Sequence, residues 1–394
     1  MKFLTPVKRA FLSAMGDEKR QKITIPLFSI LLSLAAGAVV LLLLGKNPLT
    51  TFASFLQGSG LLPKASYAGK KSILTDFMSL INAWTPMLFA SLSVAVAFKA
   101  GLFNIGVSGQ MLLSGLFATV LVGYSPLPAV LAKPAVILVG ILVGAAVAAL
   151  IGFLKFKWNI NEVVSAIMLN YTIRYLSSFV IKYFMADPVS RQSKAINAAA
   201  RLSLIDTPVG DLKMDIPLGV LLALFAVILV QFLFRKMKVG FEFATVGSNP
   251  RAARYAGINV GKITILSMAL SGALAGLAGV TYYLGYYGSI QPDVLISTGF
   301  DAIAVCLLGS SNPIGILFSS FFITVIDKGS IYMSSAIGVR QEIGSLITGL
   351  ILLFSACGAF ISYLLQRARQ RAADEEVFAT RAAKAGKDGK GAGV

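Results

Sequence analysis

The sequence predicts an all-α, polytopic membrane protein, and three features carry that reading. Of its 394 residues 56% are hydrophobic and only 13% charged, too little charge to cover a soluble surface of that size. Mean hydropathy is +0.79, and apolar runs repeatedly reach the roughly 20 residues that a helix needs to cross the ~30 Å hydrocarbon layer. The short alternating segments of a membrane β-barrel are absent.

The elements follow in chain order. Residues 1–25 form a basic, amphipathic N-terminal arm. The first apolar run, 26–44, has no small-residue cleavage site before Lys46, so it reads as a retained anchor with its N-terminus inside. Further candidate spans are 77–98, 109–124, 134–154, 162–184, 216–234, 263–287, 299–310, 313–331 and 342–364. The eighth is too short to cross alone and ends in the breaker cluster Gly309-Ser310-Ser311-Asn312-Pro313, so it is a broken or re-entrant helix. This makes about ten transmembrane helices in a domain covering 26–364. Residues 365–394, rich in Ala, Gly and charge, read as a disordered, solvated tail.

Charge sets the orientation. With both termini cytoplasmic, 22 of the 35 Lys+Arg fall on the inner side and 11 on the outer, while Arg174 and Lys182 lie within the fifth span. This bias obeys the positive-inside rule. It also accounts for the net charge of +18 without any nucleic-acid partner. The outer segments 45–76 and 185–215 read as long loops. Cys306 and Cys357 have no paired spacing, and histidine is absent, so neither a disulfide nor a metal site is expected.

Glycine spacing predicts how the spans pack. Gly140 and Gly144, and Gly272, Gly276 and Gly279, place small residues on single helix faces, where backbones approach closely in lipid.

The segment Phe241–Lys262, FEFATVGSNPRAARYAGINVGK, is unlike the rest. It is polar, Gly/Pro-punctuated and net basic, and its short helix Pro250–Tyr255 stands between two spans. Within the cytoplasmic loop 235–262 it reads as a docking element for a cytoplasmic partner. Its nearest approach to a nucleotide loop, Gly257 to Ile263, is one residue short between the glycines and has Ile263 where a magnesium-binding Ser/Thr belongs. No nucleophile elbow or HExxH motif occurs either. No catalytic residues and no cofactor of the chain's own are expected, and the protein is read as a transport subunit, not an enzyme.

Polar residues at membrane depth are the candidates for a solute pathway. Asn104 and Gln110 lie in a glycine-broken stretch, Lys99–Met111, read either as a plain inner loop or as a partly re-entrant segment. Asn170 and Arg174 lie one turn apart deep in the fifth span, where polar groups face a bundle interior or a cavity. Glu162, nearer the boundary, suits the start of its helix. Asp301 opens the short eighth span, as a helix cap or as a group facing solute. Tyr282, Tyr283, Tyr286 and Tyr287 suit an interfacial belt, or stacking on a sugar or base.

Four strings, GLFNIGVSGQM (101–111), NEVVSAIMLNY (161–171), VGSNPRAARYAGI (246–258) and GFDAIAVCLLGSSNPIG (299–315), occur in this order. Together they resemble the permease subunits of ABC importers in the branched-chain amino acid/ribose permease family, simple-sugar or nucleoside branch. The resemblance covers roughly Trp84 to Tyr363. It implies a multi-pass permease of the cytoplasmic (inner) membrane, embedded in lipid and paired with a second permease. Two cytoplasmic ATPase subunits would hold ATP and magnesium, and an extracytoplasmic binding protein or lipoprotein would deliver the solute.

Gly247, Asn249, Pro250, Ala253 and Gly257 then correspond to the coupling loop, with Arg251 and Arg254 facing acidic groups of the ATPase. Local physics agrees: Gly247 permits a turn, Pro250 suits a first helical position and Gly257 a left-handed cap. Ser108 departs from the family pattern, which usually has Glu there; the branch commonly uses two different permeases, which implies a heterodimer whose sister subunit supplies that carboxylate. The 101–111 string favours nucleosides, with simple sugars as the alternative. An ion-coupled secondary transporter is the more distant one, disfavoured by the scarcity of mid-span carboxylates.

Overall fold

The computed structural model describes residues 18–67, 69, 71–340, 342–356 and 367. Most of the N-terminal arm, the end of the tenth span with Cys357, and the tail apart from Arg367 lie outside them. Each of the ten apolar runs forms a helix among the described residues. In chain order the helices are α1 (Glu18–Leu43), α2 (Pro48–Gly58), α3 (Ile73–Lys99), α4 (Val107–Ala118), α5 (Ala129–Trp158), α6 (Glu162–Val180), α7 (Gly219–Lys236), α8 (Lys238–Ser248), α9 (Pro250–Tyr255), α10 (Val260–Val280), α11 (Thr298–Leu308), α12 (Pro313–Ile337) and α13 (Glu342–Ala356). Wider π-helical turns extend α4 to Gly123, α6 to Met185 and α10 to Tyr287.

Among the described residues, α3, α5, α6, α7, α10 and α12 are each long and apolar enough to cross a membrane, while α4, α11 and α13 are shorter apolar helices. The α1–α2 pair bends by 117°, at a break where Gly45 takes φ +69° and the Asn47 side chain caps α2 by accepting from Leu49 N. Helix α2 and the antiparallel strands β1 (Ser203–Val209) and β2 (Leu212–Pro217) occupy what the sequence presents as loops. The hairpin turns at Gly210, φ +61°, and its root is tied to the end of α10, with Leu202 N donating to Leu284 O at 2.9 Å. Its alternation is broken by a bulge between Leu204 and Thr207, which hides its period in the sequence.

Helix α3 is the axle. Every residue from Trp84 to Ala97 is buried, and polar side chains stitch it to its neighbours: Trp84 Nε1 donates to Ser320 Oγ at 2.8 Å, and Ser93 Oγ lies 3.0 Å from Ser271 Oγ. Helix α10 packs on α5 through the two glycine faces that the spacing singles out. A Cβ on Gly144 would stand 2.1 Å from Gly272 O, and one on Gly276 would stand 1.9 Å from Gly140 O. Here glycine is needed for backbone-to-backbone packing, which is the main attraction between helices in lipid.

Candidate coupling element and translocation site

Helices α8 and α9 project from the end of the bundle where α3 finishes. Asn249 separates them in extended backbone, and its side chain accepts from Arg251 N at 3.0 Å and Ala252 N at 3.1 Å. Pro250 follows at the first helical position, where its missing N–H costs nothing. Gly257, φ +78°, ends α9, and Gly257 N donates to Arg254 O at 3.0 Å. The predicted helix therefore stands at its predicted bounds, while α8 before it is an addition.

Gly247 is the exception to the local reading. It lies inside α8 rather than in a turn. A Cβ there would meet Lys99 O at 2.6 Å and Gly101 N at 2.8 Å, so glycine serves close approach to the end of α3. Ala253 is fully buried, whereas Arg251, Arg254 and Tyr255 are exposed, Tyr255 by 96%. The sequence reading missed Tyr255, although an aromatic at the end of a polar helix is itself a signal for a partner's pocket.

Three of the polar candidates meet in one buried lock. Asn104 Nδ2 donates to Gln110 Oε1 at 3.0 Å and to Ser271 Oγ at 2.8 Å, and Asn104 Oδ1 accepts from Gln110 Nε2 and Gly106 N. Asn170 Oδ1 accepts from Gly109 N at 3.0 Å, and its Nδ2 donates to Ile105 O at 3.0 Å. All three side chains are buried and satisfied. The glycine-broken stretch after α3 is thus pinned to α6 and α10 immediately beyond the Gly101–Gly247 contact. Glu162 pairs with Lys155 across the α5–α6 turn, and Asn161 caps α6.

Residues 77–356 match the family described as "Branched-chain amino acid transport system / permease component". The chain belongs to that family. The permease is 32% identical to the nucleoside ABC transporter permease protein NupB of Lactococcus lactis, over 91% of this chain and 97% of that one. It is 31% identical to the guanosine ABC transporter permease protein NupP of Bacillus subtilis, over 89% and 97%. It is 30% identical to the glucose ABC transporter permease protein TsgB13 of Haloferax volcanii, over 85% and 87%. It is a multi-pass cell-membrane component of a transport system.

At the opposite end of the permease, the remaining candidates separate. Arg174 turns away from Asn170 and donates through Nε to Asp293 O at 2.7 Å. Lys182 and Ser178 bind the Asp293 carboxylate. Asp293 lies in the loop between α10 and α11, and these two hydrogen bonds hold its carboxyl below the usual carboxylate range.

Asp301 sits in the first turn of α11, within electrostatic reach of Asp327 on α12. Asp327 directly precedes Lys328 on α12. Lys328 Nζ donates to Ser79 Oγ on α3 and to Tyr286 OH at 3.0 Å. Asp327 itself is exposed on the surface of α12. Lys328 thus ties α12 to α3 and to the end of α10, with Asp327 beside it. Two carboxylates, a lysine and a row of tyrosines can hold a polyol or a base through hydrogen bonds and ring contact. The sequence reading passed over Asp327 and Lys328 because they interrupt an otherwise apolar span, and that interruption is the signal.

Ser108 has a structural account. Its Oγ donates to Ile296 O at 2.8 Å, and a Cβ on Gly299 would stand 2.4 Å from the Ser108 Oγ. Helices α4 and α11 are therefore in close contact at Ser108.

Proposed function

We propose that this permease carries nucleosides across the cytoplasmic membrane as one of two permeases in an ABC importer. Cytoplasmic ATPase subunits drive it, and an extracytoplasmic binding protein or lipoprotein supplies the solute. The observation that carries the reading is α9. It is a helix capped at both ends, anchored by Ala253, with Arg251, Arg254 and Tyr255 turned outward. Such a helix fits a groove with acidic and apolar walls, and we assign that groove to the ATPase, which also holds ATP and magnesium. The α9 end and both termini then face the cytoplasm.

Movement of α9 reaches the membrane through the Gly247–Gly101 backbone contact and the Asn104–Gln110–Asn170 lock beyond it. Closure of the ATPase pair draws two α9 helices together, and rigid-body rotation of the bundles exposes the pathway outward, then inward. We place solute contact at Asp301, Asp327, Lys328 and Tyr286, with Arg174 and Asp293 near its outer mouth. Asn104, Gln110 and Asn170 serve as hinge contacts on the same route. The tight seat at Ser108 supports an asymmetric pair in which a different permease carries the family's Glu.

Nucleoside identity is supported by the likeness to NupB and NupP, and the likeness to TsgB13 supports a monosaccharide instead. The Asp301–Asp327 pair favours a second reading, ion-coupled transport without a motor. Uptake of radiolabelled nucleoside into proteoliposomes decides. The full assembly should transport only with ATP, and unlabelled nucleosides should compete where monosaccharides do not. Transport by this chain alone on a proton or sodium gradient would refute the motor-driven reading.

A further inference from the structure

At the α9 end of the bundle, a cleft of about 840 Å³ opens between α1, α7 and the α11–α12 turn. Its walls are apolar, with Leu27 and Ile30 on one side and Phe318 on the other. Leu27 is 53% and Phe318 70% exposed, so the cleft opens sideways, where acyl chains lie. Two cations stand at its edge. Lys99 is the last residue of α3, and Arg235 is the second last of α7. Both therefore lie where membrane spans end.

No Asp or Glu lines the cleft. Among the described residues neither cation is paired with a carboxylate. Lys99 Nζ rests 5.5 Å from the Phe234 ring centroid, and Arg235 Nε lies 2.6 Å from the Gln231 amide oxygen when that amide is turned toward it. The guanidinium is oriented but not neutralised. Two fixed positive charges above an apolar trough complement one kind of molecule, an anionic head on an apolar body.

We propose that this cleft binds an anionic phospholipid, with its phosphate between Lys99 and Arg235 and its chains along α1 and α12. The inference rests on the α9 end facing the cytoplasm. There, basic pockets between spans meet the anionic headgroups of the inner leaflet. Nucleosides and monosaccharides are uncharged and would leave the two cations unneutralised, whereas a phosphate would neutralise them. Lys99 lies two residues before Gly101, whose backbone meets Gly247, so a bound lipid braces the junction through which α9 acts.

Native mass spectrometry of the detergent-purified transporter tests this, in micelles doped with equal phosphatidylglycerol and phosphatidylcholine. Because it reads binding and not uptake, it stands apart from the transport assay. One phosphatidylglycerol should be retained per chain, at least about tenfold over phosphatidylcholine, and retention should fall as salt rises. The Lys99→Gln/Arg235→Gln variant should lose that preference while its phosphatidylcholine retention is unchanged. Equal retention of both lipids, or undiminished preference in the variant, would overturn the proposal. Displacement of the lipid by millimolar nucleoside would also overturn it, since the cleft would then belong to the solute path. Should the variant fail to fold, salt-independent retention by the wild type is sufficient to reject the proposal.

Discussion

Replacing Gly247 by alanine is expected to uncouple transport while leaving the bundle assembled. The new Cβ would stand 2.6 Å from Lys99 O, 2.8 Å from Gly101 N and 2.9 Å from Ala100 C. All three are backbone atoms, so no rotamer change relieves the contact. Ordinary contact begins near 3.4 Å, so α8 and the end of α3 must part by about 0.8 Å. Overpacking of this kind costs about 1–3 kcal/mol. If that cost falls on the arrangement joining α9 to the membrane helices, uptake drops about 5- to 150-fold.

The control is Gly210→Ala in the hairpin turn. Gly210 also has a positive φ, +61°, but a Cβ there meets nothing within 4 Å. Its local strain of about 1–2 kcal/mol stays far from α9. The assay is ATP-dependent nucleoside uptake normalised to permease in the membrane, with ATPase copurification measured in parallel. Uptake by Gly247→Ala within twofold of wild type, at normal permease levels, would refute the transmission route.

Ser108→Glu, which installs the family's usual carboxylate, should destabilise the permease by roughly 1–3 kcal/mol, because Gly299 already lies against the Ser108 hydroxyl; a thermal-shift measurement in detergent checks it. Asn104→Ala strips partners from the Gln110 amide and from Gly106 N, both buried, while Ser271 keeps its bonds to Ser93. With about 1–3 kcal/mol for each orphaned group, melting should fall further than for Asn249→Ala at the exposed α9 cap. The Asp293 carboxyl titrates below its ordinary value, so its grip on Lys182 and Ser178 is complete above the ordinary carboxylate range and is lost as pH falls through the depressed one. Hydrogen exchange in residues 288–297 should accelerate in that acidic window and stay flat from about pH 5 to 8, and Asp293→Asn should remove the step.

The helical runs were legible from the sequence alone, the six long ones by apolar length against the thickness of the bilayer and the shorter ones by apolar runs ended by breakers such as Gly309–Pro313. The bounds of α9 were equally legible, since Asn249, Pro250 and Gly257 encode its two ends within a few residues. Helix α2 and the hairpin were not. Their polar and apolar residues mix without a clear period, and they are held by docking onto α12 and onto the end of α10. Glycine spacing announced close helix packing, but only the fold pairs Gly144 with Gly272 and Gly140 with Gly276.

For the site, sequence supplied the residue types and tertiary structure their company. Asn104, Gln110 and Asn170 are far apart in sequence yet close one lock, whereas Arg174, a single turn from Asn170, reaches the Asp293 loop instead. Asp301 comes near Asp327 only because α11 and α12 fold back on each other through the Gly309–Pro313 break. The sequence by itself determined that this chain spans a membrane and offers a capped basic helix, because hydrophobic length and capping act over short distances. Which polar groups meet inside the membrane, and where backbones touch at Gly247, depend on contacts between distant segments, and those only the tertiary structure decides.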